Sequence, residues 1–139
     1  MYTISTEKSR LDVGMIHRFL SEESYWAKDI SRELVERSID NSICFGAYEN
    51  DRQIGFARVV TDRSTFAYVG DVFVLPPHRG HGISKQLMEA IRAHPDLQDL
   101  RRWHLLTSDA HALYEQFGFH KLEKPERHME IALSNPYER

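Results

Sequence analysis

The sequence lacks most of the features that mark secreted, membrane-bound and nucleic-acid-binding proteins. Cys44 is its single cysteine, which excludes an internal disulfide and is typical of a reducing compartment. No apolar run reaches the roughly 18 residues that a membrane span needs, and the first ten residues lack the apolar core of a signal peptide. The net charge of −3 provides no basic surface for nucleic acid. These absences predict a cytoplasmic protein that binds neither nucleic acid nor membrane.

The chain has enough apolar residues for one hydrophobic core. Its 139 residues are 41% hydrophobic, which suits a single domain but not two separate cores. No internal repeat is present, and no linker rich in proline, glycine or serine divides the sequence. We therefore expect one domain over residues 1–139.

The spacing of the apolar residues predicts alternating strands and helices. Alternation of apolar and polar residues indicates strands, and apolar residues three or four positions apart indicate helices. Strands are expected over 2–6, 43–48, 53–61, 68–75, 103–107, 119–122 and 127–133, and helices over 11–20, 30–39, 83–93 and 110–117. A right-handed crossover would place the strand at 103–107 parallel to the strand at 68–75. This order predicts an α/β fold of the mixed α+β type.

The stretch from Phe66 to Met88 carries the clearest functional signal. A strand that is apolar on both faces ends at Pro76 and Pro77, which cannot continue a ladder. The turn at 79–82, Arg-Gly-His-Gly, then leads into an amphipathic helix, so free N–H groups and the positive end of a helix dipole would meet at one point and attract a phosphate. The Walker A and Rossmann glycine patterns are both absent. Because a glycine turn before a helix is also common without any ligand, this stretch needs a second signal.

That second signal lies between Thr107 and Phe119, where the sequence reads TSDAHALYEQFGF. Ser108 or Asp109 can cap a helix by accepting hydrogen bonds from its first turn, and Gly118 can end it. The apolar face of this helix is formed by Ala110, Leu113, Tyr114 and Phe117. From the residues alone, Tyr114 is either a core aromatic or a proton donor.

The two stretches together resemble the two signatures of the GNAT superfamily of N-acetyltransferases. The run R-x-x-G-x-S at 79–84 resembles the acyl-CoA pyrophosphate loop, with Ser84 in place of the usual glycine or alanine. The run A-x-x-L-Y-x-x-x-G-F at 110–119 resembles the second signature. The resemblance covers residues 2–133. It implies the GNAT fold: a central, mostly antiparallel sheet of six to seven strands with a splayed parallel pair, flanked by about four helices.

The resemblance implies an enzyme that transfers an acetyl group from acetyl-CoA to a primary amine, by direct attack in a ternary complex and without a metal. The acceptor is then a small molecule or a peptide, and a homodimer is expected because homodimers are common in the superfamily. The implied cofactor-binding residues are Val72, Phe73, Val74, Arg79, Gly80, His81, Gly82, Ile83, Ser84, Lys85 and Thr107, the last standing where an asparagine is frequent.

The resemblance also assigns roles to three aromatic residues. Tyr114 falls on the tyrosine that protonates the departing thiolate of coenzyme A, and a phenol with a pKa near 10 suits a thiolate of slightly lower pKa. Tyr25 and Trp26 fall where members of the superfamily line the acceptor pocket. Alternatively, Tyr25 and Trp26 pack over the sheet edge.

Several groups compete for the role of general base toward the amine. Asp71 is the only carboxylate in the central strand, and burial would raise its pKa and make it a better base. Asp71 could instead pair with Arg58 for structure alone. His104, His111 and ordered water are the other candidates. Because polyamine-type members of the superfamily carry a Glu-Asp pair where this chain has Gly70-Asp71, a catalytically degenerate acyl-CoA-binding sensor or regulatory module stays open as the alternative.

Two other groups of residues are assigned no chemistry. Cys44 lies in an apolar strand with no neighbour in sequence that would lower its pKa, which favours a small buried hydrophobe over a nucleophile. His78 and His81 are three residues apart, but no third ligand follows at a fixed spacing. We therefore expect no metal site.

Overall fold

One mixed sheet with helices on both faces forms the fold. The structure, a computed structural model, describes residues 1–138. The strands are β1 (Tyr2–Ser5), β2 (Ile43–Glu49), β3 (Arg52–Thr61), β4 (Phe66–Val74) and β5 (Arg102–Leu105), and the helices are α1 (Val13–Glu22), α2 (Arg32–Asp40), α3 (Ile83–Ala93) and α4 (His111–Glu115). The strand order is β1-β2-β3-β4-β5, with antiparallel pairs up to β4 and a parallel β4–β5 pair. The predicted mixed α+β fold and the predicted parallel pair are confirmed.

Local hydrogen bonds set where the helices and the central strand begin. The Asp12 carboxylate caps α1 by accepting from the amide of Met15 at 3.0 Å, and the Ser31 hydroxyl caps α2 by accepting from the amide of Leu34 at 3.3 Å. The Asp62 carboxylate orders the turn before β4 by accepting from the amides of residues 64, 65 and 66. These short-range bonds explain why the sequence patterns located the elements well.

The core has two parts, one on each face of the sheet. Along β2, Phe45 points to the side covered by α3 and α4, and Cys44 points to the side covered by α1 and α2. On the second side the Phe73 ring of β4 stacks on the Phe19 ring of α1, with 4.0 Å between the ring centroids. Burial on both faces therefore holds β4, the strand that precedes the glycine turn, in the centre of the molecule.

The parallel pair separates halfway along β4. Pairing with β5 runs from Phe66 opposite Arg102 to Val69 opposite Leu105, and β4 continues to Val74 without that partner. On its other side, the pairing of β4 with β3 shifts register near Asp71, which has a left-handed φ of 53°. A register shift of this kind bends a strand and increases its twist. A gap therefore opens between β4 and the chain that follows β5.

Two expectations for the second half of the chain were wrong. The strands expected at 119–122 and 127–133 do not form, so the sheet has five strands rather than six to seven. Their apolar pattern suits a strand, but a strand needs a neighbour to satisfy its backbone groups, and none within residues 1–138 pairs with these segments. The last helix is also shorter than expected, ending at Glu115. In the described part of the chain, no helix is long and apolar enough to span a membrane.

Candidate active site

A cleft of about 1340 Å³ lies at the point where β4 and β5 separate. Its walls come from the loop between α1 and α2, the second half of β4, the loop after β5 and the start of α3. The expected site residues that line it are Tyr25, Trp26, Asp71, Val72, Phe73, Arg79, Ser84, Thr107 and Tyr114. The others, Val74, Gly80, His81, Gly82, Ile83 and Lys85, are their immediate neighbours in sequence, and are not part of the lining. One cleft therefore brings together expected site residues that are up to 89 positions apart in sequence, from Tyr25 to Tyr114.

The glycine turn before α3 presents a row of free backbone amides. Gly80 and Gly82 have left-handed φ values of 83° and 75°, and the first helical bond runs from the amide of Gln86 to the carbonyl of Gly82 at 3.1 Å. Within residues 1–138, no backbone carbonyl accepts from the amides of residues 80 to 85. The amide of Arg79, which we expected to be free, donates to the Pro76 carbonyl at 3.2 Å. The amides at 80–85, at the positive end of an 11-residue helix, suit a bound anion.

The glycines of this turn face open space, while Ile83 and Arg79 attach the turn to the rest of the protein. A methyl group added at Gly80 or Gly82 would meet no atom within 4 Å, so the space beside the backbone at these two residues is open. Behind them, the Ile83 side chain is 2% exposed and packs in the core, and the Arg79 Nε donates to the Val74 carbonyl at 2.9 Å. This bond ties the turn to the end of β4, so the amides keep a fixed position relative to the gap.

Tyr114 lies on the wall of the cleft with its ring in the core. The residue is 8% exposed, and its ring packs edge-to-face on Phe119 with the centroids 6.0 Å apart. Burial, and to a smaller degree the nearby Tyr25 and Asp109, raises the pKa of Tyr114 to about 12. The phenol therefore keeps its proton at neutral pH and is available as a donor.

The loop between β5 and α4 is bound differently from what the sequence predicts. The Thr107 hydroxyl accepts from the amide of Ala110 at 3.0 Å, so it caps this turn in place of the expected Ser108 or Asp109. Ser108 is free for another contact: its hydroxyl donates to the Tyr25 hydroxyl at 2.8 Å, and its amide donates to the same oxygen at 3.3 Å. Tyr25 thus connects the α1–α2 loop to the loop after β5.

The Asp71 carboxylate, on the β4 wall of the cleft, accepts hydrogen bonds from two side-chain donors. Its Oδ2 accepts from the Nε of Arg58 at 2.8 Å, and its Oδ1 accepts from the Nε1 of Trp26 at 2.8 Å. The side chains of Asp71 and Arg58 are 11% and 19% exposed, which makes this a largely desolvated ion pair. The pairing with Arg58, one of the two alternatives from the sequence, is present, and it anchors the carboxylate in the cleft wall.

The two aromatic residues of the α1–α2 loop cover the cleft. The Tyr25 and Trp26 rings pack edge-to-face with 5.1 Å between the centroids, and they are 64% and 40% exposed. Through its bond to Ser108, Tyr25 reaches the β5 side, while Trp26 reaches β4 through Asp71. The loop therefore spans both sides of the gap, and the sequence carried no sign of this connection because the partners are 83 and 45 residues apart.

The remaining candidates from the sequence lie away from the cleft. His104 is on β5 and lines a separate groove, where burial lowers its pKa, and His111 is exposed at the start of α4. Cys44 is 1% exposed and burial raises its pKa to about 11, so the thiol stays protonated, which confirms it as a buried hydrophobe. Within residues 1–138, no group of three or more histidine, cysteine or acidic side chains is placed to hold a metal.

Comparison of the sequence with known proteins identifies a family. Residues 40–121 match the family described as the acetyltransferase (GNAT) domain. A Gibberella zeae protein named "Putative acetyltransferase" is 32% identical over 136 residues, which cover 81% of this chain and 75% of that protein. The match to the domain family spans more than half of the chain and contains both signature stretches.

Solved structures agree over the full length. The crystal structure of a "putative acetyltransferase belonging to the gnat family" from Xanthomonas campestris pv. campestris is 54% identical, covers 100% of this chain and 98% of its own, and superposes with a TM-score of 0.98. A "predicted acetyltransferase with acetyl-CoA" from Clostridium acetobutylicum shares the fold at 16% identity, with a TM-score of 0.65 and 95% of each chain covered. By sequence, fold and cleft, the chain belongs to the GNAT family of acetyltransferases.

Proposed function

We propose that this chain transfers the acetyl group of acetyl-CoA to a primary amine on a small molecule or peptide, by direct attack in a ternary complex. One observation carries the proposal: the turn with the free amides adjoins, through Arg79 and Ser84, a cleft that has the protonated phenol of Tyr114 on its wall. Amides at a helix N-terminus bind phosphate groups, and a phenol can protonate a thiolate. Together these suit a substrate that carries a diphosphate and a thioester.

In this proposal the residues of the turn and of β4 hold acetyl-CoA. The amides of residues 80–85 bind the diphosphate, assisted by the side chains of Arg79, Ser84 and Lys85. The edge of β4 at 72–74, which has no strand partner on the side of the gap, provides backbone groups for the pantetheine arm, and one N–H polarises the thioester carbonyl. Thr107 contributes its hydroxyl proton, since its oxygen already accepts from Ala110.

The bond changes then follow from the groups in the cleft. The amine nitrogen attacks the acetyl carbon, the C–S bond breaks, and Tyr114 gives its proton to the departing sulfur. Asp71 receives the proton that the amine loses, directly or through water, and Tyr114 regains its own from solvent. Because burial raises the pKa of Tyr114 to about 12, the phenol holds the proton that it gives to the sulfur.

The expected result of the direct test is binding together with turnover. Coenzyme A at a hundredfold excess over its dissociation constant would raise the melting temperature by on the order of 10 °C. With acetyl-CoA and a panel of amines, release of free thiol is expected to rise above the hydrolysis background for at least one amine. Stabilisation by coenzyme A without turnover on any amine would favour the acyl-CoA-binding module, a reading supported by the two bonds that restrain Asp71.

Replacing Asp71 by asparagine separates its chemical role from its structural role. Asparagine keeps the shape and tolerates the left-handed φ of 53°, but it loses the charge that pairs with Arg58. We expect the free energy of unfolding to fall by about 1–3 kcal/mol and kcat/KM for the amine to fall by about tenfold or more. As a control, Trp26→Phe removes the Nε1 donor to Asp71 and replaces the indole by a smaller aromatic ring, while the carboxylate keeps its charge. A stability loss with unchanged kcat/KM in Asp71→Asn would make the carboxylate structural only.

A further inference from the structure

Tyr68 lies on the wall of the cleft, where its ring covers Gly70. The two residues are two positions apart on β4, so they share one face of the strand. A methyl group added at Gly70 would lie 3.1 Å from Cε2 of Tyr68 and 3.7 Å from its Cδ2. Because Cε2 is bonded to the carbon that carries the hydroxyl, the hydroxyl end of the ring lies over residue 70. The ring therefore occupies the place of a side chain at this position.

The ring is fixed at the point where the gap begins. Tyr68 pairs with His104 of β5, and the two rings stack with 5.9 Å between the centroids. The pairing of β4 with β5 ends one residue later, at Val69. Because a rigid strand and a neighbouring ring hold the side chain, its hydroxyl has a defined position at the closed end of the gap.

The Tyr68 hydroxyl is free to bind a substrate. Within residues 1–138 it makes no hydrogen bond with the protein, and it is not one of the fully buried polar atoms that lack a partner, so it is open to the cleft. Burial, and after it the charge of Asp71, raises the pKa of Tyr68, so the hydroxyl stays protonated at neutral pH. A protonated hydroxyl has an oxygen that can accept hydrogen bonds.

The charged neighbours of this hydroxyl are the groups already placed beside the amine. Asp71 follows Gly70 in sequence, and Arg58 lies opposite Gly70 on β3. The carboxylate of Asp71 accepts from Arg58 and from Trp26, and in the proposed reaction it also receives the proton that the amine loses. Tyr68 therefore adds a neutral acceptor next to a charged one.

An attacking primary amine has two N–H groups with different fates. One proton leaves as the amide forms, and the other stays on the nitrogen in the product. Hydrogen bonds to both N–H groups would fix the direction of the nitrogen lone pair toward the acetyl carbon. The carboxylate of Asp71 serves the departing proton, so the N–H that remains needs an acceptor of its own. A secondary amine has no such second N–H group.

On the basis of the acetyl transfer proposed above, we propose that the Tyr68 hydroxyl accepts the N–H that the attacking amine keeps, and thereby selects primary over secondary amines. Tyr68 exchanges no proton in this step: Asp71 takes the proton from nitrogen, and Tyr114 supplies the proton to sulfur. A site that hydrogen-bonds a substrate N–H rejects an analogue that lacks it, because the buried acceptor is then left without a partner. Gly70 is required because it leaves room for the ring of Tyr68.

Tyr68→Phe is tested with a primary amine that the wild type accepts and with the N-methyl derivative of the same amine. The variant loses only the hydroxyl and keeps the ring that stacks on His104. We expect kcat/KM for the primary amine to fall about tenfold or more, and kcat/KM for the N-methyl amine to change less than about twofold. The preference for the primary amine should therefore fall about tenfold, with the dissociation constant of acetyl-CoA within about twofold of the wild type. A purely structural role would lower both amines by the same factor.

Gly70→Ala tests whether the glycine acts through the position of the ring. Its methyl group would press on Cε2 of Tyr68 at 3.1 Å, so kcat/KM for the primary amine should fall in the wild-type background and fall little further in Tyr68→Phe. The matched control is Gly14→Ala on α1, where a methyl group meets its nearest atoms at 3.7 Å and lies outside the cleft lining. This control should keep wild-type kinetics.

The outcomes separate this inference from the proposed function. Turnover by the wild type that Tyr68→Phe leaves unchanged, or lowers equally for both amines, overturns the role of Tyr68 and leaves acetyl transfer in place. A full further loss from Gly70→Ala in the Tyr68→Phe background overturns the assigned link between the two residues. Absence of turnover by the wild type with every amine overturns acetyl transfer itself, and this inference with it.

Discussion

Tyr114→Phe is expected to lower kcat by about tenfold or more while leaving the dissociation constant of acetyl-CoA within about twofold. The substitution removes only the hydroxyl group, and the ring keeps its contact with Phe119 in the core. Without the phenolic proton, the thiolate would leave unprotonated into a site that disfavours buried anions. Steady-state kinetics and calorimetric titration of acetyl-CoA measure the two quantities separately. An unchanged kcat would remove Tyr114 from the mechanism.

The pH dependence adds a second readout for the same residue. Because burial raises the pKa of Tyr114 to about 12, the phenol in the free enzyme stays protonated through the neutral and mildly alkaline range. The folded state favours the protonated phenol more than the unfolded state does. The contribution of Tyr114 to the free energy of unfolding is therefore complete below pH 10 and is lost as the pH rises toward 12. In Tyr114→Phe that part of the alkaline loss should disappear.

Tyr48→Phe is the matched control for removing a tyrosine hydroxyl. Tyr48 is fully buried on β2, and its hydroxyl has no hydrogen-bond partner among the described residues. It lies outside the cleft lining, so its loss should leave kcat unchanged. Removal of an unsatisfied buried hydroxyl is expected to be neutral or mildly stabilising. A fall in kcat for Tyr48→Phe equal to that of Tyr114→Phe would indicate a general packing effect rather than a lost proton donor.

The sequence predicted well those features of the fold that are determined by residues close together along the chain. The prolines that end β4 and the glycines of the turn that follows both act on residues close to them in sequence. The two signature stretches are also local, so they could be recognised without the fold. The cleft between them required one further step, the separation of β4 from β5, which the family resemblance implied.

What the sequence did not predict depends on partners distant along the chain. No pattern links Tyr25 to Ser108, and the same is true of Trp26 and Asp71, because each pair meets only after the sheet has formed. The alternating residues at 127–133 favour a strand, but the strand expected there does not form, because this preference does not determine which neighbour would pair with it.

The second large effect is expected at the glycine turn, where Gly82→Val should raise the dissociation constant of coenzyme A about tenfold or more. Gly82 has a left-handed φ of 75°, which costs other residues about 1–2 kcal/mol and β-branched residues most. If valine shifts the turn to avoid this strain, the amides of residues 80–85 no longer converge. If it does not, its side chain occupies the open space beside the backbone of the turn, where a diphosphate would approach. Both consequences weaken binding of a diphosphate.

Two further variants assign the cause of that loss. Gly118→Val introduces the same kind of strain at a φ of 97°, outside the turn, so it should lower stability and leave the affinity for coenzyme A near that of the wild type. Gly82→Asn tolerates the left-handed conformation but carries a side chain. Retained affinity in Gly82→Asn would show that the conformation of the turn matters most, and lost affinity would show that the phosphate needs the space above the backbone. Wild-type affinity in Gly82→Val would instead mean that these amides bind no diphosphate, and calorimetric titration of each variant with coenzyme A measures all three.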